Sequence, residues 1–499
     1  MKKRSSGVLL HISSLPGPYG IGDFGKEAMK FIDFLSEMGC RYWQVLPFSL
    51  TDGFNSPYAS PSAFAGNYHY IDLEQLAEQG LITKEELLSQ RREDPYTADF
   101  DFVRGHRMNT LYKAYLRADE TLRKRVRDFI EENRDWFPDY ALFILLKEAQ
   151  GGLPWNQWAE PYKFREPAAL AEARMRYSDT IFFLGFCQYL FFSQWKRVLD
   201  YAAKRDVRMM GDMPIYVGVD SADVWSNRAL FDVDSEGRAN HVAGVPPDYF
   251  SADGQKWGQA LYRWDVMKKD GYHWWMKRLE KNFERYHVLR IDHFRAFASY
   301  WQVDAEAETA RDGVWMEGPG YGFFEVLFKT FPQARIVAED LGMIDDGVRR
   351  LLEQTRLPGM RVMQFGFLDF SDNLHLPHNY PKDSFAYTGT HDNNTMLGWL
   401  WEAGPRERAW ALDYCNAPAE GWEQGGKEGK AVPAILRTLW QSPAGTVIVP
   451  VQDLLSYGGD TRMNRPGVPT GNWQFRVTWD QLHEVNCRYI KELNETYKR

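Results

Sequence analysis

Short, almost uninterrupted apolar runs recur along the chain, each ending in polar residues and followed by residues with helical spacing. Eight stand out: Ser6–Ile12, Tyr42–Phe48, Val207–Val217, Val288–Phe294, Ala334–Asp340, Met360–Phe367, Ser384–His391 and Thr446–Asp453. They lack the in–out alternation of a half-exposed sheet and read as parallel strands buried on both faces. Eight strands alternating with helices predict an α/β protein, a (β/α)8 TIM barrel. An open doubly wound sheet is the rival, because periodicity alone does not prove closure. No G-x-G-x-x-G follows the first run, so a dinucleotide fold has little support.

The runs are unevenly spaced. A helix from about Phe24 to Gly39 fills the first gap. The second gap is long and carries helical patterns at Lys84–Arg92 and Phe102–Asn133, with Trp155, Trp158 and Tyr162 after them. The third is rich in Gly, Pro, Asp and Trp from Gly218 to Tyr272. We expect one catalytic barrel over 1–499 with large insertions in its βα loops. These are a mostly helical one at 51–175, a lid-bearing one at 218–272 and a smaller one at 296–325. Barrel enzymes build their sites on those loops. Glu420–Lys430, rich in Glu, Gly and Lys, reads as a mobile loop.

Composition narrows the class. With 44% hydrophobic and 26% charged residues, the chain is neither disordered nor fibrous. A net charge of −8 leaves no basic footprint for nucleic acid. Aromatic residues make up 15%, much of which reads as a ring-rich core, and flat rings also suit a cleft that binds sugars. Cys40, Cys187, Cys415 and Cys487 form no C-x-x-C pair, which fits a reducing compartment. After the basic Met1–Arg4, the apolar run Gly7–Leu10 is too short for a signal peptide. The stretch Ile181–Phe192, broken by Gln188, is too short to span a membrane. The expectation is a cytoplasmic protein with no membrane or nucleic-acid partner. Its oligomeric state is not legible.

Three runs end in carboxylates: Arg290-Ile-Asp292-His-Phe-Arg295, Ala338-Glu339-Asp340 and Thr388-Gly-Thr-His391-Asp392-Asn393. In a barrel those ends meet around one cleft. Any one of them alone reads as a loop carboxylate or helix cap. Together they form a candidate site. Arg290 and Asp292 point to the same side of an alternating strand, so the guanidinium would keep Asp292 ionised. A less solvated carboxyl stays protonated as a general acid. One carboxylate of each kind is what glycoside cleavage with retention requires. In that scheme Asp292 attacks the anomeric carbon and Glu339 serves as acid and then base. Asp392 and His391 bind sugar hydroxyls. A metal at His391–Asp392 would need further His partners, and the nearby His375 and His378 are not aimed there by any pattern.

Further motifs make the reading specific. They are Asn55-Ser-Pro-Tyr58, Ser62-Ala-Phe-Ala-Gly-Asn67, Gly211-Asp212-Met-Pro-Ile-Tyr216, Gly244-Val-Pro-Pro-Asp-Tyr-Phe-Ser-Ala252, Gly254-Gln-Lys-Trp257-Gly258, Gln452-Asp-Leu-Leu455, Arg462-Met-Asn464-Arg-Pro-Gly467 and Gly471-Asn-Trp-Gln-Phe-Arg476. With the carboxylate motifs, and from His11 to Arg476, the chain resembles the amylomaltase or 4-α-glucanotransferase family, relatives of the α-amylases. The resemblance implies Asp292 as nucleophile, Glu339 as acid/base and Asp392 as transition-state stabiliser. It implies Arg290, His391, Asp212 and Tyr58 around the donor sugar, Trp257 as a lid aromatic, and Phe365 and Asn464 on the acceptor side. It further implies no metal, no cofactor, no C-terminal β-sandwich, and maltooligosaccharides and α-1,4-glucans as partners. Gln259-Ala260, Ala296 and Asn55 stand where the family usually has Asn-Pro, Gly and Asp; they bear on lid geometry and acceptor preference. A hydrolase is the near rival, and a non-catalytic glucan-binding protein the remote one. Taken alone, Tyr58 also reads as loop packing and Asp212 as a turn residue, whereas Trp225, Trp274 and Trp275 read as core.

Overall fold

The computed structural model describes residues 4–247 and 251–499. All eight apolar runs form strands of one parallel sheet: β1 (Ser5–Leu9), β2 (Tyr42–Gln44), β3 (Arg208–Met213), β4 (Val288–Ile291), β5 (Ile336–Ala338), β6 (Gly359–Val362), β7 (Ser384–Tyr387) and β8 (Thr446–Pro450). Each strand is shorter than its run because the end of the run belongs to the following loop or turn. The order is β5-β4-β3-β2-β1-β8-β7-β6. The Ala338 N–H donates to the Pro358 carbonyl at 2.9 Å, tying β5 to the residue before β6. The two edges of the sheet therefore meet, and the fold is a (β/α)8 barrel rather than an open sheet. β1, β4, β7 and β8 are buried along their whole length, as continuous apolar runs require.

The helix predicted after β1 spans Lys26–Glu37 and buries Ala28, Phe31, Ile32 and Leu35, one stripe of a 3.6-residue period. The pattern Phe102–Asn133 is two helices, Phe100–Leu116 and Glu120–Glu132, not one. Asp119 between them accepts a hydrogen bond from the Leu122 N–H and starts the second helix. The pattern at Lys84–Arg92 is helical only over Lys84–Leu88, opened by a Thr83/Glu86 capping box. The apolar stretch at 181–192 lies inside the helix Ser178–Ala203. Among the described residues no helix is long and apolar enough to cross a membrane. Trp225 and Trp275 are fully buried, and Trp274 nearly so.

A second sheet was not anticipated. Five antiparallel strands run in the order Val217–Gly218, Gln255–Ala260, His241–Val245, Ser299–Asp304, Val314–Glu317. The segments after β3 and after β4 thus form one structure. Residues 248–250, in the middle of the lid motif Gly244–Ala252, lie outside the described residues.

Candidate active site

The barrel register places the first charged groups. In the β3–β4 ladder Asp212 lies directly opposite Arg290. β3 runs close to its neighbours there: a Cβ on Gly211 would lie 2.2 Å from the Tyr286 ring, so the residue before Asp212 must be glycine. Arg290 Nη1 donates to both carboxylate oxygens of Asp212 at 2.7 Å. The same nitrogen reaches Asp292 Oδ1, just past the end of β4, at 2.9 Å. Arg290 and Asp212 are buried, and the two neighbouring carboxylates hold the guanidinium well above its ordinary pKa. Tyr58 Oη donates to Asp212 Oδ2 at 2.8 Å. Burial, followed by the Asp212 charge, pushes that phenol well above its usual pKa, so it remains a donor.

The β4–β5 ladder pairs Ala338 with Ile291. One residue further on, Glu339 comes beside the Asp292 loop, its N–H bonded to the Ile291 carbonyl at 3.1 Å. Both Glu339 oxygens accept backbone N–H groups, Oε2 from His293 at 2.8 Å and Oε1 from Leu341 at 2.7 Å. His293 presents its N–H from a left-handed conformation at φ 48°. Its imidazole is pushed down to about 3 by burial, so it brings no second positive charge. The N–H bonds and Arg290 favour the Glu339 carboxylate, but burial outweighs them and pushes its pKa up to about 8. Asp292 is raised to about 6, by burial first, with Arg290 pulling the other way. Its side chain is 29% exposed, against 8% for the whole of Glu339. At neutral pH the more open carboxyl, next to the arginine, is the ionised one, and the buried one holds the proton.

Asp392 follows β7 and is gripped from the loop after β8. Asn464 Nδ2 donates to Asp392 Oδ1 at 2.6 Å, and Arg462 Nη2 to the Asp392 carbonyl at 2.5 Å. His391 Nε2 lies 3.2 Å from Asp392 Oδ2. The His391 ring stacks on Tyr58 with centroids 5.3 Å apart and planes 14° apart. Trp257, half-buried on the strand Gln255–Ala260, meets the His293 ring edge-on at 4.9 Å.

The three carboxylates, Arg290, Asp212, Tyr58, His391 and Asn464 therefore form one connected polar cluster at the carboxyl ends of the strands. Asn464 sits directly on Asp392. Phe365 stands outside this cluster, in the turn after β6, edge-on to His375 at 5.5 Å. His375 is itself committed, its Nδ1 accepting the Val362 N–H. Among the described residues no group of three or more His, Cys, Asp or Glu is arranged to hold a metal ion. Sequence reading missed Arg462 as a partner of Asp392 and the His293 N–H as a partner of Glu339. Arg462 stood within a recognised motif, but nothing in a sequence announces a left-handed histidine.

A closed parallel barrel with an ionised and a protonated carboxyl at its strand ends is the framework of retaining glycoside chemistry. Comparison with known proteins agrees. The family model described as 4-alpha-glucanotransferase matches residues 10–482, and the chain belongs to that family. It is 44% identical to a 4-alpha-glucanotransferase of Thermus thermophilus over 99% of both chains. It is 42% identical to one of Streptococcus pneumoniae over 100% of this chain and 98% of the other. Among solved structures, the amylomaltase from Streptococcus agalactiae in complex with acarbose superposes with a TM-score of 0.95, at 38% identity, over all of both chains. An amylomaltase from Corynebacterium glutamicum shares the fold at 16% identity, with a TM-score of 0.80 over 99% of this chain and 75% of that one.

Proposed function

We propose that this chain moves α-1,4-glucan segments from a donor maltooligosaccharide to the 4-hydroxyl of an acceptor sugar, with retention at the anomeric carbon. The carrying observation is the split between two neighbouring carboxyls: Asp292, partly open and 2.9 Å from Arg290, and Glu339, buried and raised to about 8. In this reading Asp292 attacks the anomeric carbon as the bond to the leaving sugar oxygen breaks, and the Glu339 proton passes to that oxygen. Glu339, now ionised, takes the proton of the incoming 4-hydroxyl, whose oxygen displaces Asp292. Asp392, oriented by Asn464 and His391, binds donor hydroxyls as the ring flattens. Asp212, Tyr58 and Arg290 fix the floor beneath that sugar. Trp257 and Phe365 are read as aromatic supports for the glucan, the first beside the acid/base.

The chain would work as a single catalytic barrel whose segments 51–175, 218–272 and 296–325 build the cleft. All four cysteines are free, in keeping with a reducing cytoplasm. The test is a product ladder from pure maltotriose, resolved by chain length with free glucose measured. Glucose together with maltopentaose is expected. Glucose and maltose without longer chains would mean that water is the acceptor and the protein a hydrolase. No change with maltotriose or longer donors would leave a glucan-binding protein.

A further inference from the structure

Trp473 occupies a backbone conformation that a bulky side chain rarely adopts, with φ 67°. Such a residue persists only where its surroundings hold it, and such positions cluster at functional sites. Here the hold is explicit. The Trp473 N–H donates to the Met463 carbonyl at 2.7 Å. The preceding Asn472 accepts from the Arg465 N–H at 2.9 Å and donates to the Val468 carbonyl at 2.6 Å. The turn is clamped on both sides and delivers the indole, 5% exposed, against two rings of the site. Its centroid lies 5.9 Å from His391 and 5.9 Å from Tyr58, with planes inclined by 36° and 38°. Tyr58 and His391 already stack on each other, so the three rings touch mutually.

The same segment holds the backbone of the His391–Asp392 pair. The Asn464 N–H donates to the His391 carbonyl at 3.1 Å, and Arg462 donates to the Asp392 carbonyl. The imidazole is held differently. Its Nε2 lies 3.2 Å from Asp392 Oδ2. Nδ1 has no hydrogen-bond partner among the described residues. Apart from that one polar approach the ring is held by packing, and rotation about its side-chain bonds is opposed by Tyr58 and Trp473.

We propose that Trp473 is a positioning residue that keeps the His391 imidazole in the plane from which Nε2 reaches Asp392 and the Tyr58 face stays covered. This rests on the donor-sugar role given to His391 and Asp392. The strained turn is then the means of bringing a large ring to a place that an unstrained loop would leave empty.

The experiment is a double-mutant cycle on the full chain: Trp473→Ala, Trp473→Phe, His391→Ala and the Trp473→Ala/His391→Ala pair. The readouts are kcat and KM for maltotriose, thermal unfolding, and the pH titration of the His391 ring nitrogens by NMR. Trp473→Ala should lower kcat by about 10–100-fold, within the roughly 2–150-fold range of coupling between contacting residues, with KM changed less than about threefold. It should also displace the His391 titration. Trp473→Phe, which keeps a ring on the imidazole, should restore most of both. In the His391→Ala background, Trp473→Ala should cost less than about threefold further, because its route to the chemistry is already gone. Equal losses of kcat in both backgrounds would overturn the proposal, as would an unmoved His391 titration in Trp473→Ala. If the alanine variant does not fold, Trp473→Leu takes its place with the same expectations. A wild-type chain that fails to disproportionate maltotriose would overturn the functional reading instead, and the NMR titration would still test the ring geometry.

Discussion

Replacing Glu339 by Gln tests the electrostatic core of the mechanism through stability rather than turnover. Burial raises the Glu339 carboxyl from 4.5 to about 8. The folded protein therefore holds this proton more tightly than the unfolded chain does. The cost of ionising the group is absent below about pH 4.5 and complete above about pH 8, so Glu339 makes the fold progressively less stable across that window. At about 1.36 kcal/mol per unit, the ceiling on that cost is roughly 5 kcal/mol. Gln carries no charge, so it recovers both the burial cost and the repulsion from Asp292, up to about that ceiling. Gln occupies the same volume but turns an amide N–H2 toward one of the two N–H groups that grip the carboxylate, His293 or Leu341. That lost hydrogen bond costs about 1 kcal/mol at every pH and drops out of the comparison. The assay is calorimetric unfolding of wild type and Glu339→Gln at about pH 5 and about pH 8.5, with maltotriose turnover alongside. Turnover should be lost at both. The variant should be near or below wild type in Tm at the lower pH and above it at the higher. A Tm difference that does not change with pH would refute the raised carboxyl and, with it, the assignment of Glu339 as a proton donor at neutral pH.

Two further substitutions probe the neighbouring contacts. Arg290→Met removes the cation shared by Asp212 and Asp292; losing a close opposite charge should lift the Asp292 pKa by about 1–3 units, moving the acid limb of kcat/KM upward by that amount, and stranding the buried Asp212 should cost about 3–5 kcal/mol of stability. An unmoved acid limb in folded protein would rule out Asp292 as the group that must be ionised. Asn464→Ala takes away the 2.6 Å donor to Asp392 and should lower kcat about 10-fold, near the lower end for one charge-assisted hydrogen bond, with little change in Tm; unchanged kcat would mean that Asp392 needs no help from the loop after β8.

The barrel was legible because a parallel strand buried on both faces reads as a nearly continuous apolar run, as Val447–Pro450 and Phe385–Tyr387 do, and such runs survive any uncertainty about their neighbours. Closure was not legible. It rests on contacts between β5 and the residue before β6, which are hydrogen bonds of the backbone and leave no mark on side-chain type. The second sheet escaped for a related reason. Val314–Glu317 is a short, mostly apolar run exposed at every residue and Gln255–Ala260 is mostly polar and buried only at Ala260, so neither shows the buried or alternating pattern of a strand.

The site divides in the same way. Asp292, Glu339 and Asp392 were visible because strand polarity sends the ends of parallel strands to one mouth of the barrel, and Asp212 and Arg290 because each lies within a strand motif. The sequence determined which charged groups reach that mouth. It did not determine which of them is ionised, which depends on how deeply each is buried and on the Asp212–Arg290 register. Nor did it determine that Asn464, Arg462 and Trp473, from a loop beyond the last strand, close on His391 and Asp392. Those contacts join residues from distant parts of the chain through one clamped turn, and only the packed tertiary structure brings them together.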